Sequence, residues 1–418
     1  MNKVRIKEIG TVVTGKTPST TDPENFNGNI LFITPVDIAN GYIIDKTERT
    51  ISSKGFNSIR KSTISGDSVL VGCIGSDMGN VAISNVACAT NQQINSITRI
   101  KEEYNPYYVY YNLSIKKNYF KLLAGSTTTP ILPKSVFEEI VIECPERNIQ
   151  DKIVNLCRSL DEKIRINLKI NEQLEKIAKT LYDYWFVQFD FPDENKRPYK
   201  SSGGKMVYSE ELKREIPVGW DAQNVKSCIS HVNTGLNPRD NFILNNGTIH
   251  YITVKNLTIQ GFLDLSNCDT IDDEARELVH RRSDIRKGDI LFASIAPLGR
   301  CYLIRENPMD WDINESVFSI RPKEQIFTEY LYMFFRSQSF IRKAENSSTG
   351  SVFAGIRIKT LESMLLLRPS DKTLTAFQKH LSPILQQQHT LEKENLTLRN
   401  LRDFLLPMLM NGQVCIKS

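Results

Sequence analysis

The chain contains a long series of mostly apolar positions that are separated by alternating steps of four and three residues. The positions are Ile153, Cys157, Leu160, Ile164, Asn167, Asn171, Leu174, Ala178, Leu181 and Trp185. Apolar residues with this spacing line one side of an α-helix and form the contact line of a coiled coil. The pattern therefore predicts a long helix that packs against another long helix.

A second series of the same kind begins 224 residues later. It is apolar except at Gln388, Asn395 and Arg402, and it comprises Phe377, Leu381, Ile384, Gln388, Leu391, Asn395, Leu398, Arg402, Leu405 and Leu409. A narrow seam on a long helix cannot be buried by a small core, so each helix most simply pairs with the other. Two amphipathic helices packed on separate domains are the alternative.

Paired helices should meet through a defined set of side chains. We predict that the pairing residues are Leu160, Ile164, Asn171, Leu174, Leu181, Ile384, Leu391, Asn395, Leu398 and Leu405. Asn171 and Asn395 occupy equivalent positions, and we expect them to pair and to fix the register of the helices. We also expect the second helix to start at Ser382, because serine caps helices and Pro383 then takes the first helical position.

The segments upstream of the two helices also repeat. Thr14-Gly15-Lys16-Thr17-Pro18 corresponds to Thr234-Gly235-Leu236-Asn237-Pro238, and "FITPVDI" from Phe32 corresponds to "YITVKNL" from Tyr251. The segment "GSTTTPILPKSVFEEIVIECP" from Gly125 corresponds to "SSTGSVFAGIRIKTLESMLLLRP" from Ser347. Each half of the chain therefore reads as one mixed domain followed by one long helix.

These patterns predict an α+β fold with two similar mixed α/β domains and two long helices in a pseudo-twofold, circular arrangement. An antiparallel coiled coil is favoured, because parallel helices would require the linker to return along the whole helix. The predicted segments are a first domain at 1–145, a helical spacer at 146–190, a polar linker or hairpin at 191–211, a second domain at 212–370 and a second spacer at 371–418.

Composition narrows the class of protein. The formal net charge is +5, which tolerates a polyanionic partner without requiring one. The eight cysteines form no C-x-x-C pair, which argues against a zinc site and a disulfide framework. No apolar run approaches the ~18 residues of a membrane span, and the start lacks the apolar core of a signal peptide. We expect a cytoplasmic protein without a membrane partner.

The sequence offers only weak catalytic candidates. Asn105-Pro106-Tyr107-Tyr108 lacks the second proline of an adenine methyltransferase element, and Asn105 is better explained as a helix cap before Pro106. The glycines at 72, 75 and 79 lack the ending of a phosphate loop, and none of the five histidines has ligand spacing. We therefore predict no catalytic residue, no bound metal and no cofactor in this chain.

Two similar modules separated by a fixed spacer suit a ligand with two separated features, and double-stranded DNA is the obvious one. Thr14, Lys16 and Thr17 flank Gly15, where free backbone N–H groups could hold a phosphate, and Asn237 and Arg239 are their counterparts. An ordinary turn is the alternative for this segment.

Other candidates for DNA contact are polar residues on repeated loops. Asn91, Gln92 and Gln93 form an amide cluster suited to bidentate contacts with adenine, and Asn314 and Glu315 lie at the matching place. Solvated surface is the alternative. The remaining candidates are Ser126, Thr127, Thr129, Ser348, Thr349, Ser351 and Arg357. The tyrosines around 104–111 and the aromatic residues around 330–340 have helical spacing, so we assign both groups to the cores.

The chain resembles the specificity (S) subunit of a type I restriction-modification enzyme. The resemblance is carried by "LDEKIRINLKINEQLEKIAKTLYDYWFVQFDF" (Leu160 to Phe191), by the repeated element from Gly125 and by the order of parts along nearly the whole chain. It implies two target recognition domains, each reading one half of a split, asymmetric DNA site. It also implies that the helices form an antiparallel coiled coil, set the gap and dock two methyltransferase (M) subunits.

The same resemblance implies where the chemistry occurs. Adenine methylation with S-adenosylmethionine would belong to the M subunits. Restriction (R) subunits would join the complex of two M subunits and one S subunit for ATP- and Mg-dependent cleavage. This chain would be a non-catalytic specificity subunit involved in defence against foreign DNA. The alternative from a different class is a coiled-coil interaction scaffold with two protein-binding modules.

Overall fold

A computed structural model describes residues 2–39, 42–75, 78–125, 130–266, 268–347 and 355–414. The chain divides into two compact units. Unit 1 comprises Met1–Arg165 and Leu396–Ser418, and unit 2 comprises Ile166–Asn395. Because a long helix crosses each boundary, each unit contains a part of both long helices.

Unit 1 is built from short strands and helices followed by the first part of a long helix. Its strands are β1 (Asn2–Arg5), β2 (Thr11–Thr14), β3 (Phe26–Ile33), β4 (Arg49–Ile51), β5 (Thr63–Ile64), β6 (Ser68–Gly72), β7 (Val81–Ser84), β8 (Cys88–Thr90), β9 (Ile94–Thr98) and β10 (Val141–Cys144). Its helices are α1 (Ile6–Ile9), α2 (Pro35–Ala39), α3 (Ser53–Ser58), α4 (Pro106–Ser114), α5 (Lys117–Ala124), α6 (Lys134–Glu138) and the start of α7 (Arg147–Tyr182).

Unit 2 repeats this plan. Its strands are β11 (Met206–Ser209), β12 (Arg214–Pro217), β13 (Asp221–Asn224), β14 (Ile229–Thr234), β15 (Ile249–Ile252), β16 (Asp269–Ile271), β17 (Ile290–Ala293), β18 (Cys301–Leu303), β19 (Trp311–Ile313), β20 (Val317–Pro322) and β21 (Leu365–Arg368). Its helices are α8 (Val225–Cys228), α9 (Asp273–Ser283), α10 (Thr328–Phe335), α11 (Gln338–Asn346), α12 (Ile358–Ser363) and most of α13 (Asp371–Met410).

Strand order confirms the internal repeat. Unit 1 contains a four-stranded sheet in the order β2-β9-β6-β7, and unit 2 contains the equivalent order β14-β20-β17-β18. In a second sheet, β3 runs parallel to β8, as β15 does to β19. The antiparallel pairs β1-β10 and β13-β21 also correspond. The two halves therefore share one topology.

A repeated turn explains the similarity between "FITPVDI" and "YITVKNL". The Asp37 carboxylate accepts bonds from the backbone N–H and the hydroxyl of Thr34, both at 2.7 Å. In unit 2 the Asn256 side-chain oxygen accepts the same two bonds from Thr253, both at 2.9 Å. This turn needs a side-chain oxygen that accepts hydrogen bonds three residues after the threonine. Aspartate supplies it in unit 1 and asparagine supplies it in unit 2.

Most of the aromatic residues that we assigned to the cores are buried in them. Tyr108, Tyr111 and Phe120 are buried in unit 1, and Tyr330, Phe335 and Phe340 are buried in unit 2. Tyr104 and Tyr107 lie at the margin of the core and are partly buried. The predicted helix start is also confirmed, because the Asn105 side chain caps α4 by accepting from the Tyr107 N–H and Pro106 follows it.

The long helices pair in opposite directions within each unit. In unit 2, Asn167 near the start of that unit's part of α7 contacts Asn395 near the end of its part of α13, whereas Trp185 contacts Phe377 near the start. In unit 1, Asp161 of α7 bonds Arg402 of α13. The predicted antiparallel pairing in an α+β fold is confirmed.

Every position of the two heptad series is buried or half-buried. Among the ten predicted pairing residues, Ile164, Asn171, Leu391 and Asn395 are buried. The half-buried ones are Leu160, Leu174, Leu181, Ile384, Leu398 and Leu405.

The predicted pairing of Asn171 with Asn395 is wrong. Asn167 Nδ2 donates to Asn395 Oδ1 at 3.0 Å, and the Asn171 carbonyl accepts from Gln388 Nε2 at 3.4 Å. In an antiparallel pair, a step forward on one helix corresponds to a step back on the other. Equivalent positions of the repeat therefore do not meet, and Asn171 faces a residue nearer the start of α13.

The predicted start of the second helix at Ser382 is also wrong, because α13 is continuous from Asp371 to Met410. Proline inside a helix removes one backbone hydrogen bond and costs about 3 kcal/mol. Phe377 and Leu381 before Pro383 and Leu385 after it all enter the same core of unit 2. Packing on both sides of the proline offsets its local cost.

The segment after α7 folds onto unit 2. A π-helical turn spans Asp183–Val187, and β11 and β12 form a hairpin within and just beyond the predicted 191–211 linker. The Phe191 ring stacks on Tyr199 and on Trp220, each with a centroid distance of 4.7 Å. Part of the predicted linker is thus packed structure. Within the described ranges, no helix is long and apolar enough to cross a membrane.

Candidate nucleic-acid interface

In unit 1, the loop after β2 packs against the turn before β9. Thr14 Oγ1 donates to Asn95 Oδ1 at 2.7 Å, and Thr17 Oγ1 donates to Gln92 Oε1 at 3.0 Å. The Gly15 N–H donates to the Ile94 carbonyl at 3.1 Å. Two of the predicted polar clusters are therefore adjacent in space.

In unit 2 the loop after β14 likewise packs against the turn before β20, but its glycine bonds a different residue of the turn. The Gly235 N–H donates to the Asn314 carbonyl at 3.1 Å. Asn314 Oδ1 accepts from the Ser316 N–H at 3.1 Å, as Asn91 Oδ1 accepts from the Gln93 N–H at 3.1 Å. This shared turn forms one two-loop surface in each unit.

The prediction that the backbone N–H groups of the two glycines are free to bind a phosphate is wrong. The N–H groups of Gly15 and Gly235 are used inside the fold, so neither is free for a ligand. A Cβ on Gly15 would lie 2.2 Å from the Asn91 carbonyl oxygen, and one on Gly235 would lie 1.6 Å from that of Ile313. Glycine is required because the two loops approach too closely for any side chain.

The candidates on the two loops differ in exposure. Lys16, Gln92 and Arg239 are exposed, and Thr17 and Asn237 are half-buried. The amide group of Asn91 is occupied within the turn, because its Nδ2 also donates to Gln93 Oε1 at 2.8 Å. Gln92 is therefore the member of the amide cluster that is best placed to reach a base. Its counterpart by the shared turn is Glu315.

Arg357 is exposed and precedes α12, where it borders a cavity of about 480 Å³. The cavity is also lined by Ser294, Phe318 and Lys359. The candidates Ser126, Thr127, Thr129, Ser348, Thr349 and Ser351 lie outside the described residues.

Two residues of the basic stretch from His280 to Lys287 contact carboxylates. His280 Nδ1 lies 2.9 Å from Asp312 Oδ2, and Arg286 pairs with Asp284 at 2.6 Å. Burial raises the pKa of Asp312 despite bonds from Ser283 and the Ile313 N–H. These contacts fit a structural role for the run, with Arg281 and Arg282 at the surface.

Sequence reasoning missed two buried ionic contacts that join the long helices to their surroundings. In unit 1, Asp161 accepts from Tyr111 Oη at 2.6 Å and from Arg402 at 2.8 Å. In unit 2, Glu175 pairs with Arg336 at 2.7 and 3.0 Å. Burial is the main cause that raises the pKa of Tyr111 well above its usual range, and the negative charge of the adjacent Asp161 carboxylate is the second. The sequence feature that could have indicated the Asp161–Arg402 contact was the charged Arg402 within an otherwise mostly apolar heptad series.

In the described part of the chain, no group of three or more His, Cys, Asp or Glu side chains could hold a metal ion. Six described cysteines are buried, Cys268 is partly exposed, and all seven are unpaired. Burial raises the pKa of Cys73 to about 12, so its thiol remains protonated.

Comparison with known proteins places these features in context. The family model described as "Type I restriction modification DNA specificity domain" matches residues 1–176 and 217–398. The chain is 27% identical over 425 residues to the type I restriction enzyme MjaIX specificity subunit of Methanocaldococcus jannaschii, covering 99% of this chain and 93% of that protein.

Two further similarities agree. The HindI specificity subunit of Haemophilus influenzae is 23% identical over 347 residues, covering 71% of this chain and 74% of that protein. The crystal structure of a type I restriction-modification S subunit from M. genitalium superposes with a TM-score of 0.56 at 16% identity. That match covers 98% of this chain and 96% of the other, and it supports the fold.

Proposed function

The chain belongs to the type I restriction-modification DNA specificity family, and we propose that its two units each read one half of a bipartite, asymmetric DNA site. It is the specificity subunit of such a system and recognises DNA. Methylation, ATP hydrolysis and cleavage reside in partner subunits.

The observation that carries the proposal is the two-loop surface that recurs in both units with different side chains. Thr17 donates to Gln92 in unit 1, and the residues that correspond to them in unit 2 are Asn237 and the half-buried Glu315. An amide can both donate to and accept from a base edge, whereas a carboxylate only accepts. The same scaffold with different hydrogen-bonding groups suits two half-sites of different sequence.

Basic side chains beside these loops suit the phosphate backbone. Lys16 in unit 1 and Arg239 in unit 2 are exposed and follow the glycines of the two turns. Phosphate contacts position a protein on the duplex, and base contacts supply specificity. We propose the first role for Lys16 and Arg239 and the second for Gln92. Thr14, Asn91, Gln93 and Asn314 support the turns.

Exposed apolar residues on the long helices suit protein partners. In unit 2, Ile170, Ile177 and Tyr184 follow each other at steps of seven and are exposed. In unit 1, Leu401 and Phe404 are exposed on α13, with Phe404 62% exposed. Large apolar side chains in contact with solvent mark interaction surfaces. We propose that each unit docks one M subunit and that R subunits join through the resulting complex of two M subunits and one S subunit.

We propose that S-adenosylmethionine is used by the M subunits and that Mg and ATP are used by the R subunits, with none held by this chain. The proposed location is the cytoplasm, where host DNA and the partner subunits meet. The methylated base would be adenine.

The test uses the chain assembled with its M subunit. We expect it to bind a duplex with the split site at least 10³-fold more tightly than random duplex at physiological salt, which is the low end for specific DNA-binding proteins. The site is first found by mapping methylated adenines in host DNA. Equal affinity for both duplexes would refute DNA reading, and binding that does not weaken as salt rises would favour a protein-binding scaffold.

A further inference from the structure

Unit 1 contains a polar cavity at a place where unit 2 is apolar and filled. The correspondence is fixed by one repeated hydrogen bond: Tyr108 Oη donates to the Glu143 carbonyl at 2.8 Å, and Tyr330 Oη donates to the Leu367 carbonyl. The adjoining strand pairs also match in register, because Lys3 is opposite Glu143 and Ala222 is opposite Leu367.

In unit 2 this place belongs to the main core. Phe334 and Leu367 are buried, and Phe186 lies beside them in the same cluster. The Phe186 ring packs on Tyr330 and on Trp220, with centroid distances of 4.8 and 5.9 Å. The chain beyond α7 therefore closes this end of unit 2 with its own aromatic side chains.

In unit 1 the equivalent residues are polar and the space is open. Asn112 stands at the position of Phe334, because each lies two residues after a shared Tyr-x-Tyr sequence, and Glu143 stands at that of Leu367. Together with Lys3, Lys116, Val141, Met410 and Asn411 they line a cavity of about 590 Å³. After Met410 the backbone turns back, as the Gln413 N–H donates to the Met408 carbonyl at 2.9 Å.

One buried atom of a residue that lines this cavity has no partner. Asn112 is only 2% exposed, and its Oδ1 accepts no hydrogen bond from any described residue. Its Nδ2 reaches the Glu143 carbonyl at a long 3.4 Å. A buried acceptor without a partner is unfavourable, so a ligand that brings a donor to Oδ1 gains from the contact.

The lining also specifies the charge of the ligand. Lys3 is exposed and Lys116 is half-buried, and neither forms an ion pair with any residue in the described ranges. Two ammonium groups favour a carboxylate or a phosphate. The acceptor of Asn112 and the carboxylate of Glu143 disfavour a phosphodiester, which has no donor to offer them. A peptide supplies both a backbone N–H and an acidic side chain.

We infer that this cavity binds an acidic peptide segment of the M subunit, with a carboxylate between Lys3 and Lys116 and a backbone N–H bonded to Asn112 Oδ1. The inference rests on the proposed function, because it requires that M subunit as the partner. It adds a contact in unit 1 that unit 2 does not have, so the two M subunits are held differently.

The test measures the affinity of the full-length chain for the purified M subunit by calorimetry. We expect the Lys3→Glu, Lys116→Glu double variant to bind at least tenfold more weakly. The matched control is Lys61→Glu, Lys101→Glu, which makes the same charge change at two exposed lysines of the same unit, and it should bind like the parent. Unchanged affinity of the cavity variant would overturn the inference.

Asn112→Phe provides a second test, because it installs the residue that unit 2 has at this place. It should leave the melting temperature unchanged or raise it and weaken M binding at least tenfold. If Asn112→Phe fails to fold, Asn112→Leu, which is close to asparagine in volume, replaces it. Normal M binding by a folded variant would contradict the inference.

Hydrogen exchange identifies the occupant directly. Adding the M subunit should protect β1, β10 and the α4–α5 junction, and adding DNA without it should not. Protection by DNA alone would assign the cavity to nucleic acid instead. Failure of the parental complex to prefer a split site would refute the proposed function, whereas normal DNA preference with unaffected cavity variants would refute this inference alone.

Discussion

The buried ion pair between Glu175 and Arg336 predicts a large and specific loss of stability in unit 2. The side chain of Arg336 is 2% exposed and that of Glu175 is 8% exposed. Arg336 makes two bonds to the Glu175 carboxylate and one each to Tyr332 Oη and the Ile259 carbonyl, all between 2.7 and 3.0 Å. It thereby ties α7 to α10 and to the loop after β15.

Removing one member of a buried ion pair costs about 3 to 5 kcal/mol, because the other charge stays buried without its partner. Glu175→Gln keeps one acceptor oxygen but removes the negative charge that compensates the buried Arg336 guanidinium, so we expect a loss of about 3 to 4 kcal/mol. Arg336→Met should cost about 3 kcal/mol, because Lys179 lies 3.4 Å from Glu175 and still compensates its charge. The double variant Glu175→Leu, Arg336→Met should cost much less than the sum, because it buries no uncompensated charge.

Tryptophan fluorescence measures this effect selectively. The chain has three tryptophans, and Trp185, Trp220 and Trp311 all lie in unit 2. Urea unfolding followed at this signal therefore reports on unit 2, and the coupling energy follows from the two single variants and the double variant. Additive losses in the double variant would refute the ion-pair reasoning, as would single variants within about 1 kcal/mol of the parent.

Three further predictions address other parts of the molecule. Gln92→Ala in the assembled complex should relax sequence preference in one half-site by about 1 to 3 kcal/mol and leave the other unchanged, as measured on duplex libraries; equal relaxation of both would contradict separate reading. Asp161→Asn should destabilise unit 1 by about 1 to 3 kcal/mol, measured by hydrogen exchange in α4, because Tyr111 and Arg402 lose a buried carboxylate while Arg402 keeps Asp403; an unchanged exchange rate would exclude this role. Burial lowers the pKa of His231 below its usual 6.5, so the unfolded state takes up the proton first as the pH falls through 6.5. Unit 2 should therefore lose stability below pH 6.5, His231→Gln should reduce that loss, and an identical pH dependence in the variant would refute the assignment.

Periodicity predicted the long helices well, because the side of a helix that is buried depends on the spacing of apolar residues along that helix. Every residue of the two heptad series is buried or half-buried, so the spacing of apolar side chains was sufficient to identify the buried side of each helix. The capping of α4 by Asn105 was also predictable, because the cap and the capped N–H are two residues apart. Features that depend on neighbouring residues were accessible from the sequence.

Features that depend on distant residues were not accessible. The partner of Asn395 depends on the register between α7 and α13, and the heptad series alone fixes no register. Pro383 predicted a helix start that packing of Phe377 and Leu385 overrides. Glu175 lies outside the heptad series, and its partner Arg336 is 161 residues away, so nothing local identified either residue.

The two-loop surface was also only partly predictable from the sequence. The repeated T-G-x-x-P sequence located it, but the reason for the glycine emerged only from the approach of the turn at Asn91. That approach consumes the glycine N–H and most of the Asn91 amide, which leaves Gln92 and Lys16 exposed. Sequence could identify the region, whereas assigning contact roles required knowing which polar atoms the fold already uses.

Differences between the halves lie at polar positions inside a shared scaffold. Asn112 replaces Phe334, Arg402 occupies the heptad position equivalent to Ala178, and Glu315 stands where unit 1 has Gln92. Each replacement introduces or removes a hydrogen-bonding group while the strand orders stay the same. A duplicated protein that read a symmetric site would need no such differences, because identical units would present identical groups. The polar asymmetry is therefore what the proposed function requires, because one scaffold must then present different groups to two half-sites and to two M subunits.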